Sequence, residues 1–230
     1  MKQVTTSIIA AAMLCGVSSA HADDDGMGLG LAIKASTLGT GIEIGKSVTD
    51  SLNVRLGYNA FKRDDDQTID DIDYQAELDF SSTALYLDWH PFEGTFHLTL
   101  GYINSSNALN ASATPSTGLD PVEIGDRLYN PSDIGQLDST VKFGSGPYAG
   151  LGWGNVPASG FGFSLELGVL QSGAPEASLG YSNLDPTVFV TQADIDLLDA
   201  EIAKEEANMQ KELDEFELYP VLALGISYGF

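Results

Sequence analysis

Nine ionisable residues of this 230-residue chain stand singly between apolar neighbours. Lys34, Glu43, Arg55, Asp88 and Glu166 are flanked in this way, and so are His97, Glu77, Asp79 and Lys142. Successive side chains of an extended strand point to opposite faces, so such residues gather on one face while apolar bulk gathers on the other. Acids outnumber permanent bases in the set. Its chemistry is ion pairing inside an enclosed space, or the lining of a wet path that favours cations. Asp88 and His90 share one strand face and His97 follows across a turn, a grouping that invites an acid–base reading. No serine forms a recognised nucleophile motif, so the histidines are expected to be satisfied by neighbours and no residue is assigned a catalytic role. Asp64, Asp65, Asp66, Asp70, Asp71 and Asp73 offer carboxylates, but without the glycine and terminal glutamate spacing of an EF-hand. A solvated acidic loop over 62–73 is expected, with no metal and no other cofactor.

The positioning elements are short alternating strands. In Leu218 to Phe230, Leu222, Leu224, Ile226, Tyr228 and Phe230 fall on one side, opposite Val221, Ala223, Gly225, Ser227 and Gly229. Bulk facing hydrocarbon and small or polar groups facing a lumen is the pattern of a membrane barrel. Further strands are expected over 27–35, 40–46, 52–61, 74–89, 95–104, 140–154 and 161–169. Within 74–89 the apolar phase slips by one residue, which predicts a bulge at Ser81-Ser82. The count gives an all-β fold: an eight-stranded antiparallel up-and-down transmembrane β-barrel, closed by pairing 218–230 with 27–35. Connections at 47–51, 91–94 and 155–160 are short; those at 62–73, 105–139 and 171–217 are long and are expected outside the cell.

The last long connection holds one acidic helix. Ile195, Leu198, Ile202, Met209, Leu213 and Phe216 recur at helical spacing among acids, and Thr191 with Asp194 reads as an N-cap. The helix is expected to rest on the barrel rim; a gate or a partner-binding element is the sharper reading.

Ten basic against 33 acidic residues give a formal net charge of -23, which excludes nucleic acid as a partner. Residues 1–22 read as a signal peptide, with Lys2, an apolar core and Ala20-His21-Ala22 before Asp23. They contain the chain's one cysteine, Cys15, leaving a thiol-free barrel domain over 23–230. Export through the periplasm to the outer membrane of a Gram-negative bacterium follows, with outer-membrane lipid and lipopolysaccharide as surroundings.

The order DYQAELDFSSTALYLDWHPF, FHLTLGYINSSN, GPYAGLGWG, FGFSLELGVLQSGAP, an acidic helix and YPVLALGISYGF resembles small eight-stranded outer-membrane barrels of the OmpW and CarO-like type. The terminal Tyr228 and Phe230 resemble the strand by which the barrel-assembly machinery recognises such proteins. The resemblance implies a monomeric or loosely associated barrel serving as a passive channel for small solutes, basic amino acids among them. It offers no short motif, so no binding residue is carried over. The sequence therefore reads as a narrow passive channel for small cationic or zwitterionic solutes, with inward glycines leaving room for water. The alternative is a non-conducting structural or surface-interaction barrel, since eight strands enclose little more than their own side chains.

Overall fold

The structure, a computed structural model, describes residues 28–69, 72–92, 94–115 and 120–230. The expected signal segment 1–22 lies outside these residues, as do Met27, Asp70 and Asp71. Alternation of bulky with small or polar residues builds β1 (Leu29–Ser36), β2 (Gly39–Thr49), β3 (Leu52–Ile69), β4 (Ile72–Trp89) and β5 (Phe96–Ser105). The chain continues through β6 (Ala108–Pro115), β7 (Val122–Ile124), β8 (Arg127–Tyr129), the short α1 (Pro131–Ile134) and β9 (Gln136–Lys142). It ends with β10 (Gly146–Trp153), β11 (Gly160–Gln171), β12 (Glu176–Ser182), α2 (Gln192–Leu213) and β13 (Leu218–Gly229).

Eight of these strands close a barrel in the order β1, β2, β3, β4, β5, β10, β11, β13. Every pairing is antiparallel, and β13 closes on β1 from Gly30↔Gly229 to Ser36↔Ala223. Closure satisfies the backbone groups that an open edge would strand in hydrocarbon. The outer face is apolar throughout: Leu31, Ile42, Leu56, Leu85, Leu100 and Leu224 are all more than half exposed. At the short-turn end Phe161, Tyr228 and Phe230 stack edge to face, with ring centroids 5.0 and 5.1 Å apart, and Phe96 packs on Trp153. Such an aromatic girdle marks a membrane–water boundary.

At the opposite end the long connections form a head rather than loops. The acidic stretch expected as a solvated loop is strand: β3 and β4 stay in unbroken register from Leu52↔Trp89 to Ile69↔Ile72. No bulge interrupts Ser81-Ser82. Instead β4 changes partner there, pairing β5 from Ser82 to Trp89 and β6 from Ile72 to Asp79. The same sheet thus continues above the barrel in the order β3, β4, β6, β9, β12. The apolar phase slips because the dry face changes, not because the backbone does. Within the barrel the apolar residues Leu85, Leu87 and Trp89 lie on the exposed outer face. Above the barrel Tyr74, Ala76, Leu78 and Phe80 lie on the other face, which registers through β6 with Leu137, Leu179 and Tyr181, the residues packed beneath α2. The strand expected from Thr140 to Gly154 is likewise two strands, β9 in the head and β10 in the barrel. The segment expected as a loop over 105–139 supplies β6, the β7–β8 hairpin, α1 and the start of β9.

Candidate functional site

The barrel interior gathers Lys34 from β1, Glu43 from β2, Arg55 from β3, Asp88 from β4, His97 from β5 and Glu166 from β11, all buried. Arg55, 2% exposed, is the hub. Its Nη1 reaches Glu43 Oε2 at 2.7 Å, its Nη2 lies 3.1 Å from Glu166 Oε2 and 2.9 Å from Asp88 Oδ1, and its Nε also donates to Asp88. Lys34 Nζ sits 2.9 Å from Glu43 and 3.0 Å from Glu166. Two hydroxyls add to the network: Tyr148 donates to Glu166 at 2.9 Å and Thr99 to Asp88 at 2.8 Å, while the Arg55 guanidinium lies 4.8 Å from the Tyr86 ring centre. Planar fork geometry suits arginine to binding several carboxylates at once. The result is a cross-braced barrel.

The other expected lumen residues lie elsewhere. Glu77 and Asp79 are on the head portion of β4, where Glu77 pairs with Lys62 at 2.8 Å, and Lys142 is on β9 at the foot of the head. Assigning Glu77 and Asp79 inward assumed the bulge at Ser81-Ser82, without which they share the face of Leu85, and assigning Lys142 inward assumed one barrel strand from Thr140.

Alternation places Tyr86 and Tyr148 inside but does not reveal what they do there. They fill the glycine gaps. A Cβ at Gly150 or Gly168 would overlap Tyr148, one at Gly101 would overlap Tyr86, and one at Gly152 would overlap His97. These four inward glycines make room for neighbouring rings, and Gly41, Gly57 and Gly225 for Asn59, Glu43 and Ser164, rather than for water. Leu38, buried at the tip of the β1–β2 turn, completes an apolar layer with Tyr86, Ile103, Tyr148, Leu170 and Val221. That turn is pinned to the start of β13, since Thr37 N donates to Leu222 O at 3.1 Å and Tyr219 Oη to Thr37 O at 2.7 Å. Between this layer and the ion network a cavity of about 10 Å³ remains.

The histidines sit near the short-turn end, ring centres 5.2 Å apart. His90 Nε2 accepts from Asn53 Nδ2 at 3.0 Å, so its Nδ1–H donates to Gly94 O at 2.8 Å. His97 Nδ1 donates to Gly154 O at 3.1 Å, and its Nε2 has no partner among the described residues. Asp88 is engaged by Arg55 and Thr99 rather than by either imidazole. No Ser–His–Asp relay joins these residues.

In the head, α2 begins with a reciprocal cap: Asp194 N donates to Thr191 Oγ1 and Thr191 N to Asp194 Oδ2, so aspartate replaces the usual glutamate. The Thr191 hydroxyl and amide hold the Asp194 carboxyl below its ordinary range. Leu198 and Ile202 of α2 bury against Ile124 and Ile134, while Phe216 stays exposed. Glu201 accepts from Asp126 N at 2.8 Å and pairs with Lys204 at 2.9 Å, fastening α2 to the β7–β8 hairpin. These contacts lower the Glu201 pKa, the Asp126 amide first and Lys204 second. A carboxyl with a depressed folded pKa adds stability that is present above its ordinary pKa and lost as pH falls through the depressed one. Acidification below the usual carboxylate range is therefore expected to loosen α2, seen as lost helical circular dichroism. In Glu201→Gln that part of the pH response should be missing; an unchanged acid profile would show that the contact carries no stability.

No protein-family model matches the chain, and no curated protein matches its sequence. Solved structures do match. CarO2 of Acinetobacter baumannii superposes with a TM-score of 0.58 at 19% identity, covering 88% of this chain and 98% of that one. The chain has the CarO barrel fold. CarO of the same organism gives a TM-score of 0.54 at 17% identity over 87% of this chain and 97% of CarO. At this identity the likeness to CarO is one of fold.

Proposed function

We propose that this chain is a closed outer-membrane barrel of a Gram-negative bacterium that acts through the head it holds outside the cell. The observation that carries this reading is the filled interior: Arg55 and Lys34 bind three carboxylates from three strands, and the space left beneath the Leu38 layer is about 10 Å³. A single water needs about that much room. The apolar belt, the aromatic girdle and the even strand number support placement in the outer membrane, with short turns toward the periplasm and the head outward. Lipid and lipopolysaccharide surround the belt, and the terminal Tyr228 and Phe230 suit recognition by the barrel-assembly machinery.

A second reading is a narrow passive conduit for small cationic or zwitterionic solutes. It draws on the three carboxylates against two bases inside, and it requires the Arg55 network and the Leu38 layer to move. Planar-bilayer recording of the refolded protein separates the two. The expected result is no discrete channel events under a salt gradient; reproducible cation-selective steps would select the conduit.

A further inference from the structure

The head sheet has two edges, and the chain treats them differently. The β12 edge is covered by α2: Ala177 N donates to Gln210 Oε1 and Leu179 N to Glu206 Oε2, each at 2.9 Å. Helix side chains thus occupy the backbone groups that another strand would use. The β3 edge is open. β2 accompanies β3 only as far as Thr40↔Ala60, whereas β3 and β4 run on together to Ile69↔Ile72. Among the described residues no hydrogen bond reaches the outer side of 62–68, and all seven residues are exposed.

Alternation identifies the free backbone groups. In an antiparallel ladder each residue turns its N–H and C=O to the same side. The Ala60 carbonyl accepts from Thr40 Oγ1 at 3.1 Å, on the β2 side, and its partner Ser81 bonds away from β3, to Asn107 and Ser106. Counting by twos in unbroken register, Lys62, Asp64, Asp66 and Thr68 turn their backbone groups to the open side. The same alternation puts Asp64 and Asp66 on the sheet face opposite α2, where with Glu77 and Asp138 they line a groove of about 400 Å³. At Asp64 and Asp66, therefore, unpaired backbone valence and a negative side chain occur on the same residue, while the Lys62 charge is engaged by Glu77.

We propose that the 62–68 edge of β3 is a docking site for an extended, basic peptide segment of another protein. The segment adds as a strand beside β3 and directs alternate basic side chains over Asp64, Asp66 and the groove. An open edge supplies main-chain hydrogen bonds with little sequence preference, and the carboxylates select the charge of what pairs there. A second copy fits poorly, because pairing Asp64–Asp66 with itself sets like charges side by side. The inference rests on the reading of the head as the outward, working part of the molecule.

The test uses the full chain in zwitterionic lipid nanodiscs and a labelled peptide alternating lysine and valine, read by fluorescence anisotropy. Controls alternate glutamate with valine, or lysine with proline, which keeps the charge but cannot donate along a strand. Expected are binding of the lysine–valine peptide alone, weakening with salt, and a loss on the order of tenfold in the Asp64→Asn, Asp66→Asn double variant. Asp66→Pro removes one outward N–H where β4 needs none and should bind more weakly than Asp66→Asn. On the unaltered protein, hydrogen exchange should slow at the amides of Asp64 and Asp66 but not of Arg63 and Asp65, a measurement independent of whether any variant folds. Absence of binding, equal binding of the lysine–proline peptide, or no selective amide protection would overturn the proposal. The planar-bilayer result bears separately on the closed barrel, so the two can fail independently.

Discussion

Arg55→Ala is expected to cost the barrel about 3–5 kcal/mol, the penalty for stripping one partner from a buried charge network. Removing the guanidinium leaves Glu43, Asp88 and Glu166 buried with Lys34 as their one remaining cation among the described residues, and Lys34 touches only Glu43 and Glu166. Asp88 would keep the Thr99 hydroxyl and nothing charged. Arg55→Lys should fall between, since an ammonium restores charge but cannot fork to three carboxylates from the same depth. Arg55→Met combined with Glu43→Gln and Asp88→Asn should recover much of the loss, because a neutral set of similar volume no longer holds unpaired charge. Urea unfolding from lipid bilayers, followed by tryptophan fluorescence, measures all three. A loss below about 1 kcal/mol in Arg55→Ala, the range of an exposed pair, would mean that water reaches the network and that the interior is not closed.

Leu224→Arg should destabilise insertion by roughly 2–4 kcal/mol. Leu224 is 58% exposed near the middle of β13, registered between Ala35 and Leu165. In water such a change would be nearly neutral at an exposed site, so the sign of the effect reports the solvent around the barrel. The same substitution at Ala223, whose side chain faces the packed interior, tests alternation: it should block folding by overfilling the small cavity that Ala223 lines instead. Bilayer titration of Leu224→Arg against the unaltered chain decides the point; an unchanged unfolding midpoint would place this face in water or against protein and not in lipid.

Much of the barrel was legible in the sequence because alternation is a local property. Bulk at Leu222, Leu224 and Ile226 against Ala223 and Gly225 needs only the pleat of one strand to be read. The inward set Lys34, Glu43, Arg55, Asp88, His97 and Glu166 follows from the same parity, strand by strand. The α2 start was legible too, because Thr191 and Asp194 cap through contacts three residues apart. Glu77, Asp79 and Lys142 were misplaced for a related reason. The expected bulge reversed the face given to Glu77 and Asp79, and parity does not tell where a strand leaves the barrel, which β4 does without a break in its register. The acidic composition of 62–73 pointed to solvent, and 62–68 are exposed, but solvent exposure does not distinguish a loop from a strand whose partner lies across a hairpin.

What the sequence by itself determined, then, is the set of residues facing in and facing out along each barrel strand, since steric alternation leaves an extended chain no other choice. Tertiary structure alone decided the rest. Five strands bring Lys34, Glu43, Arg55, Asp88 and Glu166 into one network only because β13 closes on β1 and places β11 nearby, a pairing made across most of the chain's length. Whether an inward glycine means a wet lumen or a seat for a tyrosine depends on the register of the next strand, which sets Tyr148 beside Gly168. Which sheet edge is covered depends on where α2 comes to rest. Each of these is a contact between residues far apart in sequence, fixed by packing and register rather than by the pattern of any one segment.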